Sequence, residues 1–250
     1  MNPIEQTLTG HLAYLKLHYL KKHFQALADQ AAREQWSPLQ YLARLVESEA
    51  LARQDRAVQN RLKEARLPMM KTLEQFDWSW PKKANRAQVQ NLFRLGWINE
   101  KANVVLMGSC GLGKTHLSIA LAREACLHGH SVLFTTAVDI INSLAAAQTV
   151  GRLKLELKRY LKPAVLAIDE VGYLPIDKAG ADLLFQIFSH RYERGSLLIT
   201  TNQPYKLWPK IFNNDATITS AVLDRLLHHA ETIVLEGRSY RMKDQLVAEE

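Results

Sequence analysis

Gly108 to Thr115 reads G-S-C-G-L-G-K-T and fills the pattern G-x-x-x-x-G-K-[ST] without a gap. The residue types define a chemistry. Gly108, Gly111 and Gly113 let the backbone turn so that its N–H groups converge on phosphate oxygens. Ser109, Cys110 and Leu112 complete the loop that would wrap the phosphates. Lys114 has the reach for β- and γ-phosphates, and the Thr115 hydroxyl is the type that ligates Mg²⁺. A helix beginning at this point adds its positive end.

Three further groups extend the constellation. Ala164 to Glu170 reads A-V-L-A-I-D-E, an apolar run that delivers two carboxylates at its end. Asp169 can hold Mg²⁺ directly or through water. Glu170 is placed to orient or deprotonate an attacking water. The run Leu197–Thr200 ends in Thr201-Asn202, and Asn202 could hydrogen-bond a γ-phosphate or that water. Arg225, in Leu223-Asp224-Arg225-Leu226, follows this strand. An arginine there can reach a neighbouring subunit's γ-phosphate and stabilise transition-state charge. These groups predict ATP and Mg²⁺ as cofactors, with Glu170, Lys114, Asn202 and Arg225 as the hydrolytic set.

The elements that must position them follow a strand–helix alternation. Candidate strands are Val104–Met107, Val132–Thr136, Val165–Ile168, Leu197–Thr200 and Thr232–Leu235. They are apolar and partly β-branched, as expected of a parallel sheet covered on both faces. Phosphate-binding groups then belong at the strands' C-terminal ends. After Thr115, Leu117, Ala120, Leu121 and Ala125 keep helical spacing. Two helical patterns, about 138–147 and Arg152 to Leu161, separate the second and third strands, although a crossover needs only one.

The first third is all-helical by periodicity, with Leu8, Leu12, Leu15 and Tyr19, then Leu20, Phe24, Leu27 and Ala31, spaced by threes and fours. Ser37-Pro38-Leu39-Gln40 starts a further helix with a Ser cap, Pro at the first position and Gln three residues after the cap. It runs to about Arg66, before Pro68, with Arg53, Arg56, Asn60 and Lys63 on one face. Residues 68–84 carry Phe76, Trp78 and Trp80 and read as an aromatic linker docking on the next domain, an adenine-side position being the alternative. A short helix over roughly 85–95 leads to the first strand. The division is therefore a basic helical domain (1–67), a linker (68–84) and an α/β nucleotide domain (85–250).

Charge follows this division. The net charge is +7; residues 1–101 hold 16 Lys+Arg against 10 Asp+Glu, and the remainder 16 against 15. A basic appendage points to an acidic partner, with nucleic acid the leading class and Arg53, Arg56 and Lys63 the candidate contacts. The N-terminus lacks a basic segment followed by an apolar core, and no run of 18 apolar residues exists, which predicts no secretion and no membrane span. Two cysteines, one of them in the loop, predict a reducing cytoplasm rather than a disulfide. His228-His229 and the scattered His11, His18 and His23 lack zinc-ligand spacing and read as surface or packing residues.

The motifs, in this order, resemble an AAA+ ATPase over about 100–240. I-D-E-V-G-Y-L-P (Ile168–Pro175), L-D-R-L-L-H-H (Leu223–His229) and G-R-S-Y-R (Gly237–Arg241) resemble the IstB family, ATP-binding helpers of IstA/IstB-type bacterial insertion sequences. Arg66-Leu67-Pro68 and Phe76-Asp77-Trp78 extend the likeness over nearly the whole chain. That family is similar to the DnaC helicase loaders in the initiator clade, whose extra helix after the second strand matches the insertion above. The resemblance implies a five-stranded AAA+ sheet and an ATP-dependent homo-oligomer. It implies binding to duplex DNA with little sequence preference, and cooperation with an IstA-type transposase in the bacterial cytoplasm. It assigns phosphate binding to Gly108–Thr115, metal support to Asp169, catalysis to Glu170, sensing to Asn202 and the trans-acting finger to Arg225. One departure stands out: about fifteen residues follow the last strand, too few for the usual helical lid, which leaves Arg238 or Arg241 to replace its arginine.

Other classes make different demands. A replicative helicase loader shares the ATPase core and differs in the partner of residues 1–70. A small-molecule kinase requires a phosphoacceptor pocket and monomeric activity, and a DNA scaffold with a passive ATP site has no use for Glu170.

Overall fold

The computed structural model describes residues 3–81 and 83–240. It divides into two compact units, one ending at Asn60 and one beginning at Arg61. The first contains α1 (Pro3–Tyr14), α2 (His18–Arg33) and most of α3 (Pro38–Ala65). The periodicity that runs from Leu8 through Ala31 is interrupted: Lys16 takes a left-handed φ of 57°, which ends α1 and starts α2. Leu12 and Leu20 are buried, while Leu8 and Leu15 remain exposed.

Leu17, at the start of α2, offers no capping side chain. Glu49 of α3 does the work instead, accepting from the N–H groups of Tyr19 (2.8 Å) and Leu20 (3.0 Å). Its other oxygen binds Arg56 at 2.8 Å. Burial pushes the Glu49 carboxyl up, but the two amides and the Arg56 guanidinium outweigh that and hold it below its ordinary value. The cap expected at Ser37 forms reciprocally: Gln40 N–H reaches Ser37 Oγ at 3.3 Å, and Ser37 N–H reaches Gln40 Oε1 at 2.8 Å.

α3 continues past the division. Its last turn belongs to the second unit, where Ala65 is fully buried and Arg61 donates to the Cys126 carbonyl at 2.8 Å. The compact units thus separate between Asn60 and Arg61, inside α3.

The second unit is a parallel sheet of β1 (Asn103–Gly108), β2 (Val132–Thr136), β3 (Val165–Val171), β4 (Ser196–Thr201) and β5 (Ala230–Leu235), in the order β2-β3-β4-β1-β5. Alternate side chains enter two cores. Val104, Leu106, Ala167 and Leu198 meet α4 (Arg86–Leu92), α5 (Gly96–Asn99), α6 (Lys114–Leu127) and the aromatic linker. Val105, Leu166, Ile168 and Ile199 face the helices between β2 and β5: α7 (Ala137–Thr149), α8 (Leu153–Leu161), α9 (Lys178–Arg191), α10 (Trp208–Ile211) and α11 (Ala216–Leu227). Burial on both faces explains why the strands are uninterrupted apolar runs.

At the strands' N-terminal ends, the buried guanidinium of Arg191 donates to the carbonyls of Tyr160 (2.9 Å), Ala164 (3.0 Å) and Ser196 (2.8 Å). It thereby fixes where α8 stops and β3 and β4 start. At the C-terminal ends, β1 opens into the glycine loop, β3 into the acidic pair and β4 into Asn202. The order of the sheet sets β4 between the other two.

Candidate nucleotide site

The loop from Gly108 to Gly113 joins β1 to α6, and two of its glycines are required by their surroundings. Gly111 has φ 77°, and a Cβ there would overlap the Ser239 hydroxyl; Gly113 has φ 86°, and a Cβ would strike the Phe76 ring. The loop is thus folded against segments from both ends of the unit. Tyr240 N–H donates to Gly111 O at 2.8 Å, and Trp80 Nε1–H donates to Arg238 O at 2.7 Å. Lys83 and Glu236 exchange backbone hydrogen bonds at 3.2 and 3.0 Å.

A cleft of about 560 Å³ lies over the loop. Cys110, Gly111, Leu112, Gly113, Lys114 and Thr115 line one wall, and Glu170, Thr200, Thr201 and Asn202 line the other. Phe76, Trp80 and Tyr240 supply aromatic surface. Phe76 is 7% exposed and sits edge-on to Trp78 and His116. Phe76 and Trp78 pack on the core, and Phe76 and Trp80 border the cleft. Gly108 and Ser109 lie outside the lining. The Ser109 carbonyl accepts from Lys114 Nζ at 2.8 Å.

The acidic pair is built by a bulge. The β3–β4 register passes from Ile168–Ile199 to Val171–Thr201, so one extra residue is accommodated on β3. Glu170 takes φ 62° at this point. The consequence is a division of labour between adjacent carboxylates. Asp169 is 6% exposed, whereas Glu170 is open to the cleft. The Thr115 hydroxyl lies 3.0 and 3.1 Å from the two Asp169 oxygens.

Thr200, which the sequence reading passed over, joins the two acids. Its hydroxyl donates to Asp169 Oδ1 and accepts from the Glu170 N–H at 2.9 Å. The signal was a threonine pair, Thr200-Thr201, closing a buried strand whose middle is apolar. Asn202 borders the cleft, and its buried Oδ1 has no hydrogen-bond partner. An unsatisfied buried acceptor here is a polar group awaiting a donor.

A hydroxyl, a buried carboxylate beside it and a loop of turned amides form a donor set for a hard divalent cation bound to phosphates. The residues present fit Mg²⁺.

A sequence model described as "IstB-like ATP binding protein" matches residues 10–248. The insertion sequence IS21 putative ATP-binding protein of Pseudomonas aeruginosa is 38% identical over 94% of this chain and 88% of its own length. The IS5376 putative ATP-binding protein of Geobacillus stearothermophilus is 36% identical over 94% of both. The chain belongs to the IstB-like ATP-binding family. Two solved structures share the fold over about two thirds of the chain. The DnaC helicase loader matches with TM-score 0.53 at 20% identity over 66% of this chain and 96% of that one. AMPPCP-bound DnaA from Aquifex aeolicus matches with TM-score 0.55 at 21% identity over 71% of this chain, which spans about half of DnaA's length (55%).

Arg225, on α11, donates to Ala221 O at 2.8 Å and stacks over the Phe185 ring at 5.4 Å. Arg53 and Lys63 are exposed on α3, while Arg56 commits a guanidinium nitrogen to Glu49. Arg238 is exposed, and its carbonyl accepts from Trp80, a side chain that lines the cleft; Arg241 lies outside the described residues. No helix among the described residues is long and apolar enough to cross a membrane.

Proposed function

We propose that this chain is an ATPase that assembles on duplex DNA and assists an IstA-type transposase. The observation that carries the hydrolytic reading is the bulge at Asp169–Glu170. Binding phosphate requires only the loop. An exposed glutamate turned into the same cleft, next to an unpartnered Asn202 oxygen, is the arrangement a water-activating site requires.

Gly108–Thr115 hold the phosphates, with Lys114 leaving Ser109 O to reach the β- and γ-groups. Thr115 and Asp169 would hold Mg²⁺, which would supply charge neutralisation at the phosphates. Glu170 orients and deprotonates water, and Asn202 donates its amide to the γ-phosphate or to that water. Arg225 lies on α11, away from its own chain's cleft, and completes the site of a neighbouring copy. ATP thereby favours the oligomer, and loss of the γ-phosphate loosens it by removing contacts made in one state only. DNA contact falls to the basic N-terminal region, domain 1–67 of the sequence division, through Arg53 and Lys63, with Arg56 contributing what Glu49 leaves free.

Glu170→Gln tests the central assignment. We expect nucleotide affinity to be kept and turnover to drop by about 10²–10⁴-fold; undiminished hydrolysis would falsify it. The likeness to the DnaC loader supports a second reading, loading of a replicative helicase. Co-purification with such a helicase rather than a transposase would select it.

A further inference from the structure

Outside the nucleotide cleft, the C-terminal ends of α9 and α11 meet. α9 stops at Arg191 with Tyr192 as its cap, and Glu193 follows with φ 57°. α11 stops at Leu227 with His228 as its cap, followed by His229. Glu193, His228 and His229 each bring a ligand atom within 4.8 Å of the others. The two imidazole rings lie 4.1 Å apart. The Tyr192 hydroxyl is 2.8 Å from His228 Nδ1.

Two features of this cluster favour a cation. Two imidazoles and a carboxylate are a donor set suited to zinc and its neighbours in the first transition row. The Tyr192 hydrogen bond occupies Nδ1 of His228, which leaves Nε2 as the free ligand nitrogen and fixes the ring, the role an outer-shell partner plays. The cationic side chain of α11 closest in sequence, Arg225, is turned onto Ala221 O and Phe185.

We infer that Glu193, His228 and His229 form a zinc(II) site on the surface of the second unit, with Tyr192 as its outer-shell partner. Three protein ligands leave a position for water or for a group from another molecule. The site shares no residue with the nucleotide cleft and stands independently of the hydrolytic reading. It is hidden in the sequence because Glu193 lies 35 residues before His228, and an adjacent histidine pair alone has no metal-ligand spacing.

Titration of the full chain with Co²⁺, followed by Zn²⁺ competition, tests the proposal. Saturable uptake of one Co²⁺ per chain is expected, with visible ligand-field absorption, no thiolate charge-transfer band, and displacement by Zn²⁺. Glu193→Gln and His229→Ala should abolish saturation, and Tyr192→Phe should weaken affinity about tenfold. Circular dichroism and ATP binding of each variant report that the fold is kept. Undiminished uptake by a His228→Ala/His229→Ala double variant would overturn the site. So would a thiolate band, which reports Cys110, or the lack of any saturable binding by the unaltered chain.

Discussion

Thr200 is the side chain on which the acidic pair depends. Its hydroxyl satisfies both Asp169 and the backbone of Glu170, so a methyl in its place leaves a buried carboxylate oxygen and an N–H short of a partner. Thr200→Val should therefore cost about 1–3 kcal/mol of stability, measured by denaturant unfolding, and should lower ATP turnover. Thr200→Ser should restore both; if Val hydrolyses ATP as Thr does, the hydroxyl does not position the acids. The cysteines make a second residue-scale contrast. Cys110 is exposed in the loop, while Cys126 is buried and its thiol is pushed up to about 11. One equivalent of a thiol reagent should label Cys110 at neutral pH, and ATP should slow the reaction. Labelling of Cys126 without unfolding would contradict the packing.

At the scale of elements, α2 is held by a carboxylate from α3 rather than by a cap of its own. Glu49→Ala should destabilise the helical unit by about 2 kcal/mol through loss of two charge-assisted hydrogen bonds. The pH dependence has a definite sign. The folded carboxyl lies below its ordinary value, so its contribution is full above the unfolded pKa and is lost as pH falls through the folded one. Acid unfolding followed by circular dichroism should show this loss in the unaltered chain and not in Glu49→Gln. The strands were legible from their apolar runs, and the α3 cap from Ser37-Pro38 and Gln40, because these signals are local. The break at Lys16 was not, since no glycine or proline marks it. The bulge at Glu170 was equally invisible: it arises from pairing with β4, and a glutamate with positive φ carries no sequence mark. The clasp of Trp80 and Tyr240 over the loop joins residues 160 positions apart, although both lay in motifs already singled out.

At the scale of the whole molecule, the proposed account gives the chain a phosphate cleft of its own and assigns Arg225, on α11, to the cleft of a neighbouring copy. A shared site predicts complementation. Glu170→Gln and Arg225→Ala each remove one half of every interface, so each preparation alone should be nearly inactive and Arg225→Ala should also assemble poorly. In a mixture, some interfaces pair an intact Glu170 with an intact Arg225. The decisive measurement is ATP hydrolysis by the equimolar mixture in the presence of duplex DNA. The account predicts recovery toward about a quarter of the unaltered rate, the share of correctly paired interfaces in random closed assemblies. A mixture no more active than its parts, or an Arg225→Ala chain that hydrolyses ATP normally alone, would contradict it.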